Sequence, residues 1–116
     1  MRISVTSLSP VQIDLSASAQ EDAPTICRDW HLNAAQAERF LTLSREIDSQ
    51  TYLHDYDTAP CKITGSAFAW GQAWQLSING AAKAALRRGD EVKYFGCEDQ
   101  RCESLVMWMP DGMDPA

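Results

Sequence analysis

Four cysteines and two histidines are the side chains of this 116-residue sequence best suited to covalent or metal chemistry. Cys97 and Cys102 stand close together in C-E-D-Q-R-C, while Cys27 and Cys61 lie in separate segments. Three chemistries fit these residues. Free thiols can serve as small core hydrophobes. A disulfide can join Cys97 to Cys102, or Cys61 to one of them. Zinc can bind Cys97, Cys102 and a histidine, but a tetrahedral site wants two closely spaced ligand pairs and the sequence has one. No metal ligand set is therefore assigned. Cys61 with His54 could be posed as a thiolate–imidazole pair, yet the sequence supplies no orienting third group or oxyanion donor. His54 beside Asp55 in H-D-Y-D reads as a solvated acidic turn, and His31 beside Trp30 as a packing residue. The sequence has no phosphate-binding glycine loop, dinucleotide fingerprint, zincin helix or nucleophile elbow. The expectation is a protein without a catalytic set and without a cofactor.

Charge is the next source of chemistry. Sixteen acids against ten bases give a net charge of −6, distributed unevenly. Residues 1–60 carry −5, residues 61–89 carry four bases and no acid, and residues 90–116 carry −5. Polyanion binders gain affinity through Lys and Arg, so this balance argues against broad contact with nucleic acid or anionic lipid. It suits a basic protein partner. The candidate contact surface comprises Asp48, Asp55, Asp57, Glu98, Asp99 and Glu103, with Tyr52, Tyr56 and Trp70 as aromatic anchors of the kind that dominate interfaces. Neutralisation of these acids within the molecule is the competing reading, and exposed pairs of that kind are worth little.

The elements that must position these residues follow from patterning. The length suits one domain, and 45% hydrophobic with 22% charged residues is a globular composition. Residues 2–15 alternate in patches interrupted by Ser9-Pro10, which predicts one or two short edge strands. Residues 16–29 read as a loop. Asn33 can cap a helix while Gln36 reaches back to it. Ala37, Phe40, Leu41 and Ile47 then share one face, predicting a helix over about 34–47. From Cys61 the pattern is β: Cys61, Ile63, Ala67 and Ala69 on one face, Gly65 at a bulge or close approach, and a turn at Gly71. Trp74, Leu76 and Ile78 alternate with Gln75, Ser77 and Asn79, and Asn79-Gly80 signals a tight turn. Residues 81–88 have helical propensity, but the flanking turns favour a strand there. A last apolar run, 104–109, stops at Pro110, and the tail beyond it reads as loose. The expected fold class is α+β: an antiparallel meander of about four or five strands with one helix packed on a face.

No stretch approaches the 18 apolar residues of a membrane span, and the N-terminus has no continuous apolar core of a secretory signal. The expected location is the cytoplasm, with no membrane association.

Three segments carry a family likeness: W-H-L-N-A-A-Q-A-E-R-F-L (30–41), P-C-K-I-T-G (60–65), and W-Q-L-S-I-N-G-A-A with Y-F-G-C-E-D-Q-R-C (74–82 and 94–102). They resemble a group of small acidic bacterial proteins in which P-C-x-I-x-G opens a β-meander. Such proteins are similar to immunity proteins of interbacterial toxin systems, including those served by type VI secretion. The resemblance implies stoichiometric binding that covers the active site of a cognate toxin. A disulfide-stabilised periplasmic or secreted inhibitor domain, and a small Cys/His zinc protein, are the alternatives.

Overall fold

The computed structural model describes residues 2–13 and 27–110. Most of the loop expected over 16–29, and the tail 111–116, lie outside the described residues. The chain forms β1 (Ser4–Leu8), β2 (Gln12–Ile13), α1 (Ala34–Leu43), β3 (Arg45–Ile47), α2 (Ser49–His54), β4 (Cys61–Ala69), β5 (Gln72–Asn79), β6 (Lys83–Arg88) and β7 (Glu91–Gly96). A short 3-10 helix, Gln100–Leu105, follows. All strand pairs are antiparallel, in the order β1-β4-β5-β6-β7-β3, with β2 also paired to β4. Among the described residues the sheet therefore has seven strands rather than four or five. The expected meander is its centre, β4 to β7, and the additional strands lie along its two edges.

The meander is closed by turns that the sequence encodes. Trp70 and Gly71 both have positive φ (51° and 73°), as a two-residue type I′ hairpin requires. Gly89, at φ 61°, opens the Gly89-Asp90 turn between β6 and β7. Asn79-Gly80 behaves differently from its expected role as a two-residue turn. Asn79 pairs with Lys83, leaving a three-residue loop in which Ala82, not Gly80, takes positive φ (66°). Gly80 serves a close approach instead, since a Cβ there would strike the side chain of Met107. Residues 83–88 form a strand despite their helical propensity, because pairing with both β5 and β7 satisfies their backbone.

On one face of the sheet Ile63, Ala67, Trp74, Leu76, Ile78, Ala84, Leu86 and Phe95 build the core. Ala37, Phe40 and Leu41 of α1 pack into it, with Leu105 and Val106. Phe40 and Leu41, both buried, contribute roughly 2 kcal/mol apiece. The capping box forms as expected: Asn33 Oδ1 accepts from the Gln36 N–H at 2.8 Å and Gln36 Oε1 from the Asn33 N–H at 2.9 Å. The helix nevertheless ends at Leu43, four residues short of the expected end. Ser44 turns extended, its Oγ donating to Phe40 O at 2.7 Å, and Arg45–Ile47 joins the edge of β7 as a strand. Ladder bonds to an otherwise open edge outweigh the helical propensity of Arg45 and Glu46. Ile47 is thus buried against the sheet and not on a helix face.

Candidate functional site

The opposite face of the sheet is partly open, and alternation along the strands determines what it presents. Three rows cross it in register: Lys62, Asn79, Lys83 and Gly96; Thr64, Ser77, Ala85 and Tyr94; Ser66, Gln75, Arg87 and Val92. Helix α2 and the turn after it cover most of the first row. Lys83, 1% exposed, donates from Nζ to Tyr52 O (3.1 Å) and Thr58 Oγ1 (2.8 Å) and lies 4.2 Å from the Tyr52 ring centroid. Asn79 is buried beneath Ala59: its Oδ1 accepts from the Ala59 and Ala81 N–H groups at 2.8 and 2.9 Å, and its Nδ2 donates to Ala59 O at 3.0 Å. These two polar side chains fasten the α2 segment to the sheet.

The other two rows form the floor of a groove of about 900 Å³. One bank is Tyr52 and Leu53 of α2, with Tyr52 stacked obliquely on Tyr94 at 4.6 Å between centroids. The other bank is the broken edge strand. There Ser9 Oγ and Thr64 Oγ1 lie 2.9 Å apart, and Gln12 Nε2 donates to both. Lys62 and Arg87 line the groove, and among the described residues no acidic side chain does.

The expected contact residues are distributed between several environments. Asp48 caps α2, accepting from the Thr51 N–H at 2.8 Å, and that hydrogen bond holds its carboxyl below the usual range. Glu98 pairs with Arg45. Asp99 accepts from Arg101 Nε and Nη2 at 3.0 and 2.7 Å and caps the 3-10 helix. Those bonds hold its carboxyl down at about 2. Three of the six acids are therefore engaged locally, Asp48 by a backbone N–H and Glu98 and Asp99 by arginines of the acidic segments rather than by the basic hairpin. Asp55, Asp57 and Glu103 are exposed. Asp55 acts electrostatically on Arg45, as does Glu98, so these three charges share one neighbourhood.

The aromatic candidates also separate. Tyr52 is half-buried at the groove. Tyr56, expected on the surface, is 3% exposed because its ring lies over Gly96, where a Cβ would collide with it. Burial first, then the charge of Glu98, pushes its phenol up to about 12. Trp70, 37% exposed, sits over the core side of the sheet, edge-on to buried Trp74 at 5.6 Å and 5.0 Å from Lys93 Nζ. Lys93 is in register with Leu86 of the core face, so Trp70 and Tyr52 lie on opposite faces. Leu53, 64% exposed, was not among the expected anchors. A leucine next to Tyr52 in a short helix gives no sequence signal of exposure.

The cysteines resolve into two disulfides, Cys27–Cys61 and Cys97–Cys102. The second is one of the expected pairings. The first corrects the pairing of Cys61 with Cys97 or Cys102, because Cys27 reaches the start of β4 from the segment before α1. No free cysteine remains among the described residues, which removes the thiolate from the Cys61–His54 reading and the ligands from the zinc reading. Among the described residues, no group of three His, Cys, Asp or Glu side chains is arranged to hold a metal, and no helix is long and apolar enough to cross a membrane.

No protein-family model, curated protein or solved structure matches this chain significantly.

Proposed function

We propose that this chain is a non-enzymatic protein-binding domain, an immunity or inhibitor protein that covers the active site of a bacterial toxin. The observation that carries this reading is the composition of the α2 surface. Exposed Leu53 and half-buried Tyr52 form an apolar anchor, with Asp55 and Asp57 just beyond on the exposed turn. Apolar and aromatic anchors inside a charged rim are the usual anatomy of a protein interface. The anchor is held rigidly by Lys83 and Asn79, which lowers the entropy cost of binding. The acidic rim favours a basic target and speeds encounter more than it adds affinity.

The two disulfides support action in an oxidising compartment, periplasmic or extracellular, in place of the cytoplasmic location expected from the sequence. The test is co-expression of the exported chain with the product of the adjoining reading frame. Growth should be restored and a stoichiometric complex recovered. The triple variant Leu53→Ala, Asp55→Lys, Asp57→Lys should weaken that complex at least tenfold. A neighbour that is not toxic, or whose toxicity is indifferent to this chain, refutes the reading.

A further inference from the structure

The groove beside α2 has the opposite chemistry from the α2 rim and goes beyond the function proposed above. Although the molecule carries −6, this face presents Lys62 and Arg87 with no acid among its described lining residues. Neither cation enters an ion pair among the described residues. Between them the floor is built from small polar side chains, Thr64, Ser66 and Ser77, which leave depth above the sheet. Tyr94, Val92 and Leu53 supply an apolar flank. We infer that this groove binds an extended, acidic polypeptide segment whose carboxylates are spaced to meet Lys62 and Arg87.

Three features select that occupant. The groove is broad and open to solvent, whereas small-molecule sites enclose most of their ligand. A nucleic acid or other uniformly charged polyanion gains affinity from many cations in a track, and this face offers two. Two separated cations with hydroxyls and apolar surface between them instead suit sparse carboxylates on a chain with apolar residues. Register then sets the spacing. Lys62 and Arg87 lie two strands apart and are offset by four residues along the strand direction. At ~4.8 Å per strand and ~3.3 Å per residue, their Cα atoms are roughly 16 Å apart. An extended peptide covers that distance in about five residues, and side chains on one face recur every second residue. The two acids therefore stand four or six positions apart.

The experiment is selection of random twelve-residue peptides on the oxidised full chain, followed by fluorescence polarisation of the selected peptides. Pairs of Asp or Glu separated by four or six positions should be enriched. Lys62→Glu or Arg87→Glu should weaken binding at least tenfold, and Arg87→Gln by a smaller factor. Both positions are at the surface, and an unchanged near-UV circular dichroism spectrum verifies the fold of each variant. Selected peptides without an acid pair overturn the inference. So do charge reversals that leave affinity within twofold, or tighter binding of a single-stranded oligonucleotide than of the acid-pair peptides.

Discussion

Tyr56 holds its phenol against Gly96 beside the Arg45–Glu98 pair, and among the described residues its hydroxyl makes no well-formed hydrogen bond. Removing the proton there would place a new anion in a buried position next to Glu98, which is why its pKa lies near 12 and not at 10.0. The consequence for stability follows from linkage. Below pH 10 both folded and unfolded chains keep the proton, and the contribution is fully present. As pH rises from 10 toward 12 the unfolded chain ionises first, so stability falls across that window. Absorbance titration at 295 nm should show a late phase centred near pH 12 that Tyr56→Phe abolishes. A Tyr56 phenol titrating at 10.0 would contradict its packing against Gly96.

At the scale of elements, α2 and the turn behind it depend on three neighbours: Lys83, Asn79 and Gly96. The first two fasten it by hydrogen bonds, and the third admits the Tyr56 ring. Gly96→Ala is therefore expected to cost about 2 kcal/mol through overpacking. Its pKa effect should be visible as well, with the Tyr56 titration moving back toward 10. Thermal denaturation together with the 295 nm titration tests both, and Gly89→Ala, with open space around its Cβ, separates collision from backbone strain. Much of the element plan was legible. Alternation in 61–79, the Gly71 and Gly89 turns, the Asn33–Gln36 box and the Ser9-Pro10 break all act as their local chemistry dictates. The C-terminal end of α1 was not, because Arg45 and Glu46 suit a helix as well as an edge strand. Only the open edge of β7, distant in sequence, favours the strand.

For the whole molecule, the disulfides close two loops of very different length. Cys27–Cys61 spans 34 residues and Cys97–Cys102 spans 5. Chain entropy assigns about 4 kcal/mol to the long loop and about 2 kcal/mol to the short one. Paired Cys27→Ala and Cys61→Ala substitutions should thus lower the melting temperature more than paired Cys97→Ala and Cys102→Ala. Thiol counting on the denatured, unreduced protein should return none. Equal losses, or four reactive thiols in the native source, would refute the assignment. The same scale explains the charge. Segment totals of −5, +4 and −5 anticipated a polar molecule, but Glu98 and Asp99 are engaged by Arg45 and Arg101, bases of the acidic segments themselves.

The sequence by itself determined the alternation over 61–79, the turns at Gly71 and Gly89, the helix start and the separation of charge, since each depends on interactions within a few residues. Tertiary structure decided which cysteines pair, that Tyr56 is buried while Leu53 is exposed, and that Lys83 is buried beneath α2 while Lys62 and Arg87 line an open groove. Lys62 and Lys83 point to the same face of the sheet, in one row, and look alike in sequence. Their environments differ because a six-residue helix and the turn after it, held by contacts 20 to 31 residues away, cover the Lys83 part of that row and leave Lys62 on the groove.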